Sequence, residues 1–227
     1  MDYQQVLQAR ANRKTRLARP FANFFASFDQ CTKAGEAILN DSIAPEFRSL
    51  LERSIVITAV TAIEVYYRDM LDYLFRYCAP SFFEPKLKLL HSEKFDIQDM
   101  MNVYEHNIHP LEIVSSAQSF QNVERIDKVF SMFMDKGLWK SVLCQQVRRK
   151  DDVSNVVSWC AEDLAGMKKI FMLRHELVHD PAHCAFMTDE VHTGLGQAAH
   201  MVFGTDIILG RVLVDNKDPA LNDDAAV

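Results

Sequence analysis

The chain has 227 residues, a net charge of -6, 48% hydrophobic and 25% charged residues. That is enough apolar material for a core and too little charge bias for disorder. It also excludes the strongly basic balance of a non-specific polyanion binder. Seven Gly and seven Pro are few, which favours long helices over a turn-rich β fold. The cysteines Cys31, Cys78, Cys144, Cys160 and Cys184 are widely spaced and contain no C-x-x-C. Neither a disulfide framework nor a zinc ribbon is indicated, and free thiols suit a reducing cytoplasm.

Residues 3 to about 33 read as helix, broken near Pro20, with Phe21, Phe24, Phe25 and Phe28 at core spacing. The same stretch is acid-free from Tyr3 to Phe28 and carries Arg10, Arg13, Lys14, Arg16 and Arg19. It has no apolar signal core, and a solvated basic helix face explains it better than a transit peptide. Asn40, Asp41 and Ser42 are cap types, and Pro45 suits a first helical turn. A single helix then runs to Cys78. Its stripe is Ile57, Val60, Glu64, Tyr67, Leu71 and Leu74. Glu64 is the odd member, because a carboxylate on an apolar stripe needs a partner. Arg68, its own i+4 neighbour, is one candidate, and Arg174 is the other.

Pro80 and Pro85 end that helix and open a loop or short-helix region. Asp96 can cap a helix to about Asn107, and Pro110 breaks the chain again. Glu124 to Lys136 reads as helix, with Ile126, Val129, Phe130 and Phe133 on one face and Gly137 as its C-terminal cap. After a short apolar segment, Arg148, Arg149 and Lys150 form a basic patch suited to phosphates. A helix is expected from about Asp152 to His179. Its seam runs Val153, Val157, Cys160, Leu164, Met167 and Phe171, and continues through Arg174 to Val178. Pro181 stops it. Ala185 to Val214 is the last long helix, followed by a short acidic tail. No run approaches the ~20 apolar residues of a membrane span. The expectation is one all-α helical bundle with long core helices. Its core covers about 45–214, with an N-terminal helical extension over 1–40, extra middle helices and a frayed tail over 215–227.

The stretch Leu173-Arg174-His175-Glu176-Leu177-Val178-His179-Asp180-Pro181-Ala182-His183 concentrates the chemistry. Three readings of it are open. His175-Glu176-x-x-His179 is the zinc-hydrolase spelling, with two imidazoles on one helix face and a glutamate base between them. Against it, Pro181 cuts the helix early, and Ala182 and Ala185 stand where the longer motif needs Gly and His. His183 is the remaining ligand. Alternatively, Arg174 and His179 suit metal-independent RNA cleavage by the substrate's own 2′-hydroxyl. Imidazole moves protons near neutral pH, and guanidinium stabilises phosphorane charge. The third reading is a helix end that is merely capped: Arg174 snorkels to water, and His179 bonds terminal carbonyls.

Phe171-x-x-Arg174-His175-x-Leu177-Val178-His179, following an apolar helix, resembles the motif of the HEPN family (higher eukaryotes and prokaryotes nucleotide-binding). Thr61-Ala62-Ile63-Glu64-Val65-Tyr66-Tyr67-Arg68-Asp69-Met70-Leu71 resembles a core-helix segment of its larger members. The chain departs from the common form in having His175 rather than Asn, and Asp180-Pro181 rather than a Gly-containing turn. The resemblance implies an all-helical endoribonuclease without cofactor, with Arg174 stabilising phosphate and His179 transferring the proton. His175 would support and Glu64 orient Arg174. It further implies a homodimer with a composite site on the two-fold axis, RNA as substrate, and an inhibitory partner protein if the role is that of a toxin or antiviral effector. The family also contains non-catalytic members that act as binding or antitoxin-type partners.

Overall fold

The computed structural model describes residues 3–14, 16, 19–41, 43–90, 96–148, 154–180 and 186–221. Within these the chain is helical nearly throughout. In order come α1 (Tyr3–Lys14), α2 (Pro20–Leu39), α3 (Pro45–Tyr77), α4 (Pro80–Leu90), α5 (Ile97–Glu105), α6 (Pro110–Ser116) and α7 (Val123–Phe130). A 3-10 turn (Ser131–Phe133), α8 (Leu138–Leu143), a two-strand hairpin of β1 (Gln146–Arg148) and β2 (Val156–Ser158), α9 (Ala161–His179) and α10 (Asp189–Asp215) complete it. No described helix is long and apolar enough to cross a membrane.

The expected long second helix is present as α3. It has 33 residues, with Pro45 in its first turn, where the missing N–H costs no hydrogen bond. Val56, Ala59, Val60, Ile63, Tyr67, Leu71 and Leu74 are fully buried. No ordinary amphipathic stripe explains so much burial. α2, α9 and α10 each pack directly on α3, so it is covered on several faces at once. α9 packs on α3, as its seam predicts, and still more extensively on α10.

Two hydroxyls fasten α3 to α10. Thr205 donates to the Met201 carbonyl at 2.9 Å, so its single proton is committed. The Tyr67 hydroxyl therefore donates to Thr205 Oγ1 at 3.2 Å. One residue back, Tyr66 donates to Asp206 at 3.1 Å.

Several boundaries differ from expectation. Pro20 is the first residue of α2 rather than a kink in one helix. Pro85 lies inside α4 and does not end it. The helical turns after Val123 tighten to 3-10 geometry at Ser131, and Gly137 (φ +80) opens α8 rather than capping α7. The largest difference is at α9. The expected start near Asp152 is replaced by the hairpin, and the helix begins at Ala161. Val156 and Val157 favour an extended backbone. The local start signal is Asp163, whose carboxylate accepts from the Cys160 N–H at 3.0 Å. Asp151, Asp152 and Val153 lie outside the described residues, as does Ala185, the expected start of α10. That helix begins at Asp189 behind the side-chain cap Thr188.

Three arginines of the basic N-terminal stretch are turned inward, while Lys14 and Arg19 are exposed. Arg10 meets Glu112 at 2.9 Å, Arg13 meets Asp72 at 3.3 Å, and Arg16 meets Asp69 at 2.5 Å. These arginines dock α1 and the segment after it onto α6 and α3, and do not form an open basic face. α1 itself buries only Val6.

At Gly204 the helix α10 passes so close to its neighbours that an added Cβ would lie 2.7 Å from the Trp159 ring and 2.8 Å from Val142. Trp159 cannot swing aside, because its indole N–H donates to the His200 carbonyl at 2.6 Å. Gly196, on the same helix, has nothing within 4 Å. Gly204→Ala should therefore destabilise by ~1–3 kcal/mol through overpacking. Gly196→Ala should stabilise by up to about 1 kcal/mol through helix propensity. Urea denaturation of the two variants checks the opposite signs.

Candidate functional site

The site is built on the last turns of α9. The buried side of this helix is Asp163, Gly166, Met167, Ile170, Phe171 and Leu177. Arg174 falls in the middle of that face, as its place on the seam predicts, and its side chain is 20% exposed. Val178 does not continue the seam: it is 43% exposed, and Leu177 is buried instead. The buried face is centred between Met167 and Ile170, so the final turn brings Leu177 inward and rotates Val178 out.

Arg174 points to α3. Its Nη2 lies 3.9 Å from Glu64 Oε1. The expected pairing across the bundle is thus present as an ion pair, at a separation too long for a hydrogen bond. Glu64 Oε1, Arg174 Nε and Arg68 Nε are buried without hydrogen-bond partners among the described residues. Burial pushes the Glu64 carboxyl above its ordinary value, against the pull of Arg174 and then of Arg68. Both candidate partners therefore act on Glu64, with Arg174 the stronger. Below this pair, Arg53 of α3 donates to the Leu177 carbonyl, one of the terminal acceptors that an α-helix leaves unsatisfied. Two α3 side chains thus hold the end of α9 in place.

The histidines face the other way. His175 and His179 are both exposed, one helical turn apart, with ring centroids 4.4 Å apart and planes at 54°. Residues five apart on a helix diverge by about 140°, so His179 projects from the side opposite Arg174. The structure brings His175 and His179 together, and Arg174 and Glu64 together, as two pairs back to back on one turn. Beside His175 runs a cleft of about 360 Å³ lined by Gln121, Asn122, Glu124, Lys168, Met172 and Glu176, among others. Lys168 closes one side through its ion pair with Glu124. No spacing in the sequence signals this cleft, because the loop before α7 meets α9 only in three dimensions.

Of the basic patch, Arg148 is exposed at the end of β1, and Arg149 and Lys150 lie outside the described residues. The hairpin precedes the start of α9, whereas the histidines end it. At 1.5 Å per residue the two are on the order of 25 Å apart along the helix. For the zinc spelling, no three His, Cys, Asp or Glu side chains come together to hold a metal among the described residues. The expected third ligand, His183, is not among them.

No known protein family, curated protein or solved structure matches this chain. The class that stands is that of the fold: an all-α bundle, presenting a paired-imidazole turn whose arginine is anchored inward.

The Glu64 carboxyl yields a prediction with a definite sign. A carboxyl whose folded value is raised gives stability that is present at low pH and lost as pH rises through that value. Glu64→Gln removes this loss. The variant should match wild type below about pH 4 and gain relative stability as pH climbs to 7, while all other carboxyls are shared and cancel. Thermal melts of both proteins across this range test it. A variant that loses ground as pH rises would show instead that the ion pair with Arg174 outweighs the burial of Glu64.

Proposed function

We propose that the protein is a metal-independent endoribonuclease that cleaves RNA through attack of the substrate's 2′-hydroxyl, in the manner implied by its resemblance to the HEPN family. The observation that carries this is the exposed last turn of α9. It presents two imidazoles 4.4 Å apart, directly after an arginine whose position is set by a buried carboxylate. Imidazole serves as base or acid near neutral pH, and guanidinium matches the charge developing on phosphorus.

The geometry also bears on assembly. In-line displacement places the attacking and leaving oxygens on opposite sides of phosphorus. Two rings tilted against each other on one turn serve the same side. A second histidine pair, brought by a two-fold copy of the same turn, would serve the other. The active unit of this proposal is therefore a homodimer, with His179 as the proton-transfer group and His175 supporting it; Arg174, which faces Glu64 on the other side of the turn, stabilises the phosphorane only once its guanidinium leaves that carboxylate and turns toward the groove. RNA would approach without help from Arg10, Arg13 and Arg16, which are held by acids. Arg148 stands at the distant end of α9 as an outlying phosphate contact.

A second reading rests on a different observation. Arg174 and Arg53 both serve to hold the end of α9 against α3. Polar groups spent in this way also suit a non-catalytic interaction module.

RNA cleavage by the purified protein, with chelator present, separates the readings. The expected result is cleavage leaving 2′,3′-cyclic phosphate ends. His179→Ala should lower it by ~10² or more at unchanged helix content, with a smaller loss for His175→Ala. Specific activity should fall on dilution as the dimer separates. A wild-type protein that cleaves no RNA, while Arg174→Ala merely lowers the melting temperature, would favour the interaction module. Activity lost to chelator and restored by zinc would return the His175-Glu176-x-x-His179 reading.

A further inference from the structure

A second cavity lies away from α9. It holds about 850 Å³ between the start of α2, the later half of α3 and the later half of α10. That is within the range of ~300–1,000 Å³ usual for small-molecule sites, and it shares no residue with the cleft beside His175. Its walls are aromatic. Phe21 and Phe25 come from α2, and Tyr73 and Tyr77, with ring centroids 4.3 Å apart, come from α3. Phe25 packs on Phe21, with ring centroids 6.4 Å apart, and is 61% exposed.

Among the described residues the lining contains one carboxylate, Asp206. Its Oδ1 accepts from Tyr66, whose side chain is fully buried, so the carboxylate sits at the inner end of the cavity. Among the described residues its other oxygen has no hydrogen-bond partner, and it is not sealed in the core. Burial raises the Asp206 carboxyl above its ordinary value, and the Tyr66 hydrogen bond opposes the rise. Arg19 and Lys217 also line the cavity. Arg19 is exposed and belongs to the mouth.

We infer that this cavity binds a small arylalkyl ammonium ion, with the charged nitrogen inward on Asp206 and the ring between the Phe21/Phe25 and Tyr73/Tyr77 walls. A carboxylate fixed at the end of an aromatic channel favours an organic cation in two ways, by direct ion pairing and by attraction to the ring faces. The apolar walls select against a compact, strongly hydrated ion. Arg19 at the mouth selects against a second positive charge on the ligand's outer end.

Three matched probes test the inference by calorimetry on the full chain: 4-phenylbutylammonium, 4-phenylbutanol and 4-phenylbutyrate. The ammonium ion should bind with one-to-one stoichiometry and more tightly than the other two. Asp206→Asn keeps an acceptor for Tyr66. It should weaken the ammonium ion by ~10-fold or more and leave the alcohol unchanged. Gly210→Leu places a side chain in the cavity, where an added Cβ meets nothing within 4 Å, and should abolish binding of all three. Circular dichroism of each variant establishes that it is folded. The inference is overturned if the carboxylate binds as tightly as the ammonium ion, which would assign the site to Arg19. It is equally overturned if Asp206→Asn leaves ammonium binding unchanged, or if no ammonium binding is seen with wild type.

Discussion

The burial of α3 is the constraint on which this structure depends. Its 33 residues are enclosed by α2, α9 and α10, and a helix so enclosed must be apolar over most of its circumference or find a partner for each polar group it keeps. α3 keeps several, and between them they reach α9, α10, α1 and Arg16 beyond it. Glu64 faces Arg174 of α9. Tyr66 and Tyr67 reach Asp206 and Thr205 of α10. Asp69 meets Arg16, and Asp72 meets Arg13 of α1. Apolar packing alone would let these helices slide by a turn at small cost. The polar pairs do not, because a one-turn slip strands a buried charge or hydroxyl. The apolar surface holds the bundle together, and the polar residues on its central helix set the register.

That division explains the form of the site. The end of α9 is fixed from the inside by Glu64 and Arg53, which leaves its outer side free to carry chemistry. His175 and His179 sit on a turn whose position is decided by residues that do not touch them. Glu64 is costly in this role: it is a buried carboxyl, raised by desolvation and only partly relieved by two arginines. Retaining such a group at the expense of stability is the pattern expected where geometry matters more than melting temperature.

Much of this was legible in the sequence. The length of α3 follows from Pro45 and from the lack of breakers behind it. The inward placement of Arg174 follows from counting along Met167 and Phe171, and the pairing with Glu64 from a single acid on an apolar stripe. The misreadings have local causes. The count that places Arg174 does not hold behind Cys160, because Val157 belongs to the hairpin and Val153 lies outside the described residues. It does not hold at Val178 either, which faces solvent. The arginines near the N-terminus read as a solvated face because their acids, Asp69, Asp72 and Glu112, lie 53 to 102 residues away. The cavity around Asp206 is contributed by three elements distant in sequence, and no spacing rule reports on such a site.

The docking of α1 has a consequence for how the fold responds to its medium. This helix buries a single residue, Val6, which joins Ile108 and Ile113 in a small apolar cluster apart from the main core, and it is held to the body also by guanidinium–carboxylate contacts. Contacts of that kind weaken as dissolved ions shorten the reach of charge, to ~8 Å at physiological ionic strength and less above it, the more exposed Arg10–Glu112 pair more than Arg13–Asp72. Burial of α3 responds to salt in the opposite sense, because excluded salts strengthen apolar association. The charged docking of the first helix and the burial of the central one thus answer the same change in the medium with opposite signs.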